Sequence, residues 1–158
     1  MQKKILILIF AFSILGILNS LYLTYLHYTG EKSTICDQFS SFKCEMVNTS
    51  VFSEMTGILG YFGIRIYLPI PMSVIGLGFF ALISTISLII LTGKMKKMKK
   101  KLTDLLFIMS VMGTLFGLFL MYIQEFVLMA WCLFCLIMDI IIFSTLILSY
   151  FLKKSKIR

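Results

Sequence analysis

The feature that most constrains this chain is a set of four apolar stretches, each long enough to cross a lipid bilayer. A helix needs about 20 residues to span a hydrocarbon core about 30 Å thick. The stretches cover residues 5–27, 68–92, 103–125 and 130–152. With 59% apolar and 14% charged residues and a mean hydropathy of +1.00, the chain is far more apolar than a soluble domain. The sequence therefore predicts an all-α membrane protein, a four-transmembrane-helix bundle that forms a single domain over residues 1–158.

The positions of the basic residues predict how the helices are oriented. Twelve of the fifteen lie before helix one, in the loop 93–102 or after helix four, which are all on one side of a four-span protein. The loop 28–67 instead carries both signs of charge. By the positive-inside rule, both termini and the basic loop 93–102 are cytoplasmic, and the loop 28–67 faces outward across the plasma membrane. The net charge of +8 is thus a topology signal and does not require a nucleic-acid partner.

The outer loop 28–67 is too long to be a simple connection. Its first half is polar, whereas residues 51–67 mix apolar and aromatic side chains with three glycines. This second half is typical of a short helix that lies at the membrane interface. We therefore expect it to cover the outer end of the bundle.

The four cysteines are the candidates for chemistry. Cys132 and Cys135 are three residues apart at the start of predicted helix four, so they share a helix face, and the N-terminus of a helix stabilises a thiolate. Covalent haem attachment would need histidine at Leu136. Structural zinc is disfavoured by the apolar neighbours Leu133 and Phe134, so no metal site is expected. Redox chemistry is favoured over accidental burial of the two thiols.

Cys36 and Cys44 lie in the outer loop, in an oxidising compartment if the predicted orientation holds. One interpretation is a structural disulfide that pins the loop. The other is a redox-active pair that accepts electrons from a soluble protein and passes them to Cys132 by thiol–disulfide exchange. Spacing alone does not separate the two interpretations.

The joint pattern resembles the vitamin K epoxide reductase family over nearly the whole chain. The elements that carry the resemblance are Cys36 with Cys44 after helix one, Ser50 six residues beyond Cys44, Gly76-x-x-Phe79-Phe80 in helix two, and Tyr122 ahead of Trp131-Cys132-Leu133-Phe134-Cys135. The short chain looks like a stand-alone prokaryotic member of that family.

The resemblance implies a catalytic role for every cysteine. Cys132 and Cys135 would form the active-site disulfide, with Cys135 beside a quinone of the ubiquinone or menaquinone type. Cys44 would exchange with Cys132, and Cys36 would face a thioredoxin-like partner. Because no thioredoxin domain follows Arg158, that partner is expected to be a separate exported protein. Electrons would pass from the partner to the membrane quinone pool, which would generate disulfides in exported proteins.

Two further residues are candidates for the quinone site. Ser50 matches a loop serine of the family near the quinone pocket, although a serine there also suits an ordinary helix cap. Asp139 stands where vertebrate members have a tyrosine, so ring contacts of that tyrosine do not transfer to this chain. Asp139 shares a helical stripe with Cys132 and Cys135. It is expected to line the quinone pocket or to help move protons as the quinone is reduced. The alternative is a protonated carboxyl bonded to a serine or threonine on a neighbouring helix.

The sequence thus predicts an integral membrane, quinone-dependent thiol oxidoreductase. Two alternatives have different signatures. A disulfide bond formation protein B type oxidase also has four helices and four cysteines, but its Cys-x-x-Cys lies in the earlier outer loop. A non-catalytic membrane protein would use the loop cysteines only as a structural disulfide.

Overall fold

The computed structural model describes residues 2–31, 33, 36, 42–93 and 98–155. Its helices are α1 (Gln2–Thr29), α2 (Cys44–Asn48), α3 (Met55–Tyr61), α4 (Met72–Thr92), α5 (Lys99–Tyr122) and α6 (Leu133–Ser155). A 3-10 turn (Val51–Ser53) lies between α2 and α3, and a π-helical turn (Ile123–Val127) extends α5.

Four of these helices are long and apolar enough to cross a membrane: α1, α4, α5 with its π-helical turn, and α6. Within the described ranges the chain forms no strand, only an isolated bridge between Glu54 and Pro71. The predicted all-α bundle of four transmembrane helices, with a short helix in the long loop, is confirmed.

The helices pack around one main hydrophobic cluster, in which small residues allow close approach. A Cβ atom at Gly16 of α1 would lie 2.6 Å from the ring of Phe80 in α4, and one at Gly113 of α5 would lie 2.6 Å from the ring of Phe79. Such small residues bring transmembrane helices into contact where lipid supplies no hydrophobic driving force. The buried members of the cluster are Leu6, Ile9, Phe80, Ile83, Ile86, Ile90, Leu106, Ile141, Ile142 and Leu152.

Hydrogen bonds join three helix ends at one end of the bundle. The Gln2 side chain donates to the carbonyl of Ser155 at 3.4 Å and accepts from the Lys99 ammonium at 3.4 Å. The start of α1, the start of α5 and the end of α6 therefore meet there. Lys153, near the end of α6, forms an ion pair with Asp104, near the start of α5, at 3.5 Å. The long loop and the start of α6 lie at the opposite end. Of the predicted basic loop 93–102, residues 94–97 lie outside the described residues.

Two helices begin later than the hydropathy pattern predicts. Helix two begins at Met72, not at residue 68, because a residue that precedes proline disfavours the helical conformation and Pro69 and Pro71 restrict Leu68 and Ile70. Helix four begins at Leu133, not at residue 130. Cys132 therefore lies just before the helix, and only Cys135 lies within its first turn.

The second half of the loop covers the end of the bundle next to α5. The ring of Phe62 stacks on Phe119 of α5 with centroids 5.4 Å apart, and the ring of Tyr61 lies 5.9 Å from the same side chain. Backbone hydrogen bonds from Met55 to Ile70 (2.9 Å) and from Thr56 to Leu68 (3.2 Å) join the start of α3 to the segment before α4. This part of the loop is therefore held both to α5, by ring contacts, and to the segment before α4, by backbone hydrogen bonds.

Candidate redox site

The loop cysteines form a disulfide. Cys36 and Cys44 are bonded with their Cα atoms 6.2 Å apart, and both side chains are buried. Cys44 is the first residue of α2, and the backbone N–H of Cys36 donates to the Ser33 hydroxyl at 3.3 Å. The pair is therefore packed inside the protein, although it belongs to a loop.

A backbone hydrogen bond attaches this loop to the start of α6. The N–H of Lys43 donates to the carbonyl of Trp131 at 2.8 Å. Because these residues directly precede Cys44 and Cys132, the bond holds the two cysteines in neighbouring positions. Cys36, Cys44 and Cys132 are buried members of one hydrophobic cluster, and Cys135 packs against it. The fold thus brings together two pairs of cysteines that are almost 90 residues apart in the sequence.

Cys132 caps α6 through both its backbone and its sulfur. Its carbonyl accepts from the N–H of Leu136 at 3.1 Å, and its sulfur accepts from the N–H of Cys135 at 3.4 Å. A side chain that accepts from the third residue of a helix satisfies one of the free N–H groups of the first turn. Cys132 therefore occupies the position at which the helix N-terminus best stabilises a thiolate.

Cys132 and Cys135 are both free thiols, and they interact directly. The thiol of Cys135 donates a hydrogen bond to the Cys132 sulfur, and this bond lowers the pKa of the Cys132 thiol from its ordinary value. Backbone N–H groups of Cys135 and Phe134 act in the same direction, whereas burial opposes them. Cys132 is fully buried, so its thiolate depends on these hydrogen bonds and not on water.

Two amide side chains that sequence reasoning missed position this turn. The Oε1 atom of Gln124 accepts from the N–H of Cys132 at 3.0 Å, and the Gln124 carbonyl accepts from Ala130 at 3.0 Å. Asn19 of α1 donates to the carbonyl of Phe134 at 2.9 Å. In the sequence, each of these residues is a single amide inside an apolar stretch. This pattern could have indicated them, because a buried polar group in a membrane helix needs a hydrogen-bond partner.

A cavity of about 120 Å³ borders Cys135. The candidate residues Ser50 and Asp139 both line it, but the Ser50 hydroxyl already donates to the carbonyl of Val47 at 2.8 Å. Ser50 stands at the N-cap position of the 3-10 turn that follows it, but its hydroxyl bonds this carbonyl in the last turn of α2 and not the turn itself. The lining is mainly apolar and comprises Leu23, Val47, Asn48, Ser50, Phe52, Ser53, Met72, Ser73, Leu120, Ile123, Gln124, Leu128, Cys135, Met138 and Asp139.

A second, larger cavity of about 350 Å³ lies between α4, α5 and α6. It shares Met72, Leu120, Met138 and Asp139 with the cavity beside Cys135, so these side chains separate the two spaces. Its other lining residues are apolar: Ile75, Gly76, Phe79, Phe80, Met112, Gly113, Phe116, Gly117 and Ile142. Together the cavities extend from the cysteines into the depth of the bundle.

Asp139 lies against the backbone of α5 at the border of both cavities. A Cβ atom at Gly117 would overlap the Asp139 carboxyl, so this close approach requires glycine. Among the residues that the structure describes, none donates a hydrogen bond to the carboxyl, and no ion pair forms with it. The alternative of a carboxyl bonded to serine or threonine on a neighbouring helix therefore has no support in the described part of the chain.

Comparison with known proteins decides the family. A sequence profile described as the Vitamin K epoxide reductase family matches residues 7–150. The chain belongs to the vitamin K epoxide reductase family. The predicted family is thereby confirmed. No curated protein sequence matches the chain.

Membership in the vitamin K epoxide reductase family identifies the chemistry in general terms. It supports a membrane thiol oxidoreductase, and the family is associated with quinone-linked redox chemistry. The four cysteines supply the thiols, and the four apolar helices make the chain a multi-pass membrane protein.

Proposed function

We propose that this chain is a quinone-dependent thiol oxidoreductase that carries electrons from a reduced thioredoxin-like protein to a membrane quinone. Electrons enter at Cys36 and Cys44, pass to Cys132 and Cys135, and leave to the quinone. The observation that supports this route most strongly is the packing of the loop disulfide against Cys132 in one cluster, with Cys135 at the edge of a cavity.

Transfer from the loop pair to the helix pair needs only thiol–disulfide exchange. The reduced partner first converts the Cys36–Cys44 disulfide into two thiols and becomes a disulfide itself. The Cys44 thiolate then attacks Cys132 of an oxidised Cys132–Cys135 pair, which releases the Cys135 thiolate and forms a mixed disulfide. Attack of Cys36 on Cys44 closes the loop disulfide again and releases Cys132. Two electrons have then moved from the loop to the helix pair.

The bonding of the cysteines matches the state that this exchange would leave. The loop pair is a disulfide, and Cys132 and Cys135 are thiols. Electron delivery from this state requires closure of the Cys132–Cys135 disulfide, with loss of two electrons and two protons. The hydrogen bonds to the Cys132 sulfur favour its thiolate, so they help the release of one of these two protons.

The cavity residues fit a quinone. When bound, a quinone accepts two electrons and two protons. A flat ring with two carbonyl groups suits a mainly apolar cavity that holds a few polar side chains next to Cys135. The larger apolar cavity suits the hydrophobic part of such a molecule. Asp139 borders both cavities. We propose that its carboxyl passes a proton toward the quinone as the quinone is reduced.

We place the cysteines on the outer face of the plasma membrane. The helix ends that meet around Gln2 carry lysines of the two termini and of the basic loop, including Lys99 and Lys153. The positive-inside rule assigns that end to the cytoplasm. The opposite end, with the loop disulfide, then faces the compartment in which exported proteins acquire disulfides. The thioredoxin-like partner would be a separate exported protein.

Single-turnover quinone reduction tests this function. The purified, fully reduced protein is mixed with a water-soluble quinone analogue, and quinone absorbance is followed. We expect reduction by the native chain, none by Cys135→Ala, and continued reduction by the double variant Cys36→Ser/Cys44→Ser. Equal reduction by the native chain and Cys135→Ala would exclude the proposed role of Cys135.

The non-catalytic alternative predicts a different result. A purely structural loop disulfide stays bonded when the protein is incubated with an excess of a reduced thioredoxin-like protein and a quinone. Mass spectrometry of alkylated samples would then find only the Cys36–Cys44 bond, and Cys132 would form no disulfide with either loop cysteine. A redox-active loop exchanges its bond under the same conditions.

A further inference from the structure

The start of α4 carries a buried hydroxyl that has no partner. Ser73 is the second residue of α4, and its Oγ atom is buried without a hydrogen bond to any described residue. Ser73 lines the cavity that Cys135 borders from the opposite helix α6. A buried polar atom without a partner costs free energy, so its presence needs an explanation.

Serine and threonine in apolar helices usually satisfy themselves on the preceding turn. Ser110 donates to the carbonyl of Leu106 at 2.9 Å, and Thr145 donates to Ile141 at 2.8 Å. Ser73 lacks this possibility because the residue four positions earlier, Pro69, lies before the helix. The residue three positions earlier, Ile70, also precedes the helix, and its carbonyl accepts from the N–H of Met55 at 2.9 Å. The Ser73 hydroxyl therefore has no nearby helical carbonyl to bond.

The second unpartnered hydroxyl among the described residues makes a useful contrast. Ser87 lies in the middle of α4, where the carbonyl of Ile83 is four residues earlier in the same helix. Rotation of its side chain can satisfy it within the helix. Ser87 also does not line the cavity beside Cys135. Of the two unpartnered hydroxyls that the described residues contain, Ser73 alone therefore lies in the cavity wall.

The other hydroxyl groups of the cavity wall are already engaged, and the two amide side chains are engaged in part. Ser50 donates to Val47, and Ser53 donates to the carbonyl of Ser50 at 2.7 Å. The Asn48 amide donates to the carbonyl of Leu23 at 3.5 Å. The Gln124 oxygen accepts from Cys132. Among the described hydroxyls of the lining, Ser73 is thus the donor that remains available to a ligand.

We infer that the Ser73 hydroxyl donates a hydrogen bond to a carbonyl oxygen of the quinone, which deepens the proposed function and rests on it. A carbonyl oxygen accepts hydrogen bonds and brings no donor, so it complements an unpartnered hydroxyl. Negative charge develops on that oxygen as electrons arrive from the cysteine pair, and a donor already in place stabilises it. Ser73 on α4 and Cys135 on α6 would then bind the ring from two sides.

Three variants separate this role from a structural one. Ser73→Ala removes the donor, Ser73→Thr keeps it, and Ser87→Ala removes the other unpartnered hydroxyl of α4 outside the cavity. Trp131, the only tryptophan in the sequence, directly precedes Cys132, so its fluorescence reports quinone binding by quenching. We expect the Kd for the quinone analogue to rise about tenfold in Ser73→Ala, which corresponds to one lost hydrogen bond. Ser73→Thr and Ser87→Ala should stay within about twofold of the native chain.

Infrared spectroscopy of the bound quinone gives a signal that a structural effect would not produce. A hydrogen bond lowers the stretching frequency of the carbonyl that accepts it. We expect one carbonyl band of the quinone bound to the native chain to lie below its position in detergent alone. This band should return to the free position in Ser73→Ala and stay lowered in Ser73→Thr.

The ligand-free protein gives a control for folding. Ser73→Ala removes a hydroxyl without a partner, so its thermal stability in detergent should equal or exceed that of the native chain. If Ser73→Ala cannot be purified, the native carbonyl bands still decide, since two bands at the free position would overturn the inference. Equal Kd values for Ser73→Ala and Ser87→Ala with unchanged bands would also overturn it, whereas absence of quenching in the native chain would contradict the proposed function itself.

Discussion

The Oε1 atom of Gln124 accepts a hydrogen bond from the backbone N–H of Cys132 at 3.0 Å, between the end of α5 and the start of α6. The two residues are eight positions apart in the sequence. Between them lies the turn around Met129, a residue with a φ of +48°. Gln124 is 3% exposed. This amide fixes the residue that caps α6 and therefore the position of the Cys132 sulfur.

Gln124→Leu should weaken both the fold and the reactivity of Cys132. The substitution leaves the buried N–H of Cys132 without an acceptor, which costs about 1–3 kcal/mol. We expect a lower thermal midpoint in detergent and slower single-turnover quinone reduction. Gln2→Leu is the matched control, because its longer bonds of 3.4 Å lie at the other end of the bundle. Equal reduction rates in both variants would show that Gln124 does not position Cys132.

Gly117→Ala should displace Asp139. The added methyl group overlaps the Asp139 carboxyl, and overpacking of this kind costs about 1–3 kcal/mol. Gly78→Ala is the control, since nothing lies within 4 Å of a Cβ atom at Gly78. Thermal unfolding in detergent should show a loss only for Gly117→Ala. Combination with Asp139→Ala should recover most of that loss, and a purely additive result would contradict the contact.

Asp139→Asn should slow quinone reduction and reduce its dependence on pH. Asparagine keeps the shape of the side chain beside Gly117 but cannot exchange a proton. Loss of a group that moves protons typically lowers the rate by about 100-fold. Asp104→Asn serves as the control because Asp104 pairs with Lys153 away from the cysteines. An Asp139→Asn rate equal to the native rate at every pH would remove the proton-transfer role.

The Cys132 thiol should ionise at higher pH when the hydrogen bond from Cys135 is lost. That hydrogen bond is the main reason why the pKa of Cys132 is lowered, so Cys135→Ala raises the pKa toward its ordinary value. The alkylation rate of Cys132, measured against pH with the loop disulfide intact, should shift to higher pH. Cys135→Ser keeps a donor at this position and should shift the curve less. Identical curves for the two variants would contradict the assigned cause.

The bundle itself was predictable because lipid imposes a simple requirement. Long apolar stretches must be helical in a membrane, where each backbone group needs an internal partner. The helix starts were not predictable to the residue. The start of α6 depends on the bond from Cys132 to Gln124, and the start of α4 depends on two prolines and on pairing with the loop.

Some residues of the site were likewise predictable from the sequence, and others were not. The four cysteines were recognisable as redox candidates from their spacing and position, and the resemblance supplied the role of each. Gln124, Asn19 and Ser73 were not found, since each acts through a contact with a distant segment or through the lack of one. A serine early in a helix is ordinary in sequence, and only the fold shows that its hydroxyl is left without a partner.

The central claim is that Cys44 and Cys132 exchange a disulfide. In the double variant Cys36→Ser/Cys135→Ser these are the only cysteines left, so mild oxidation and mass spectrometry of the peptides test the claim directly. A Cys44–Cys132 bond is predicted to form in nearly every molecule, and much less Cys36–Cys132 bond is predicted in Cys44→Ser/Cys135→Ser. A failure of Cys44 and Cys132 to bond, under conditions in which the native chain forms Cys36–Cys44, would contradict the proposed electron route.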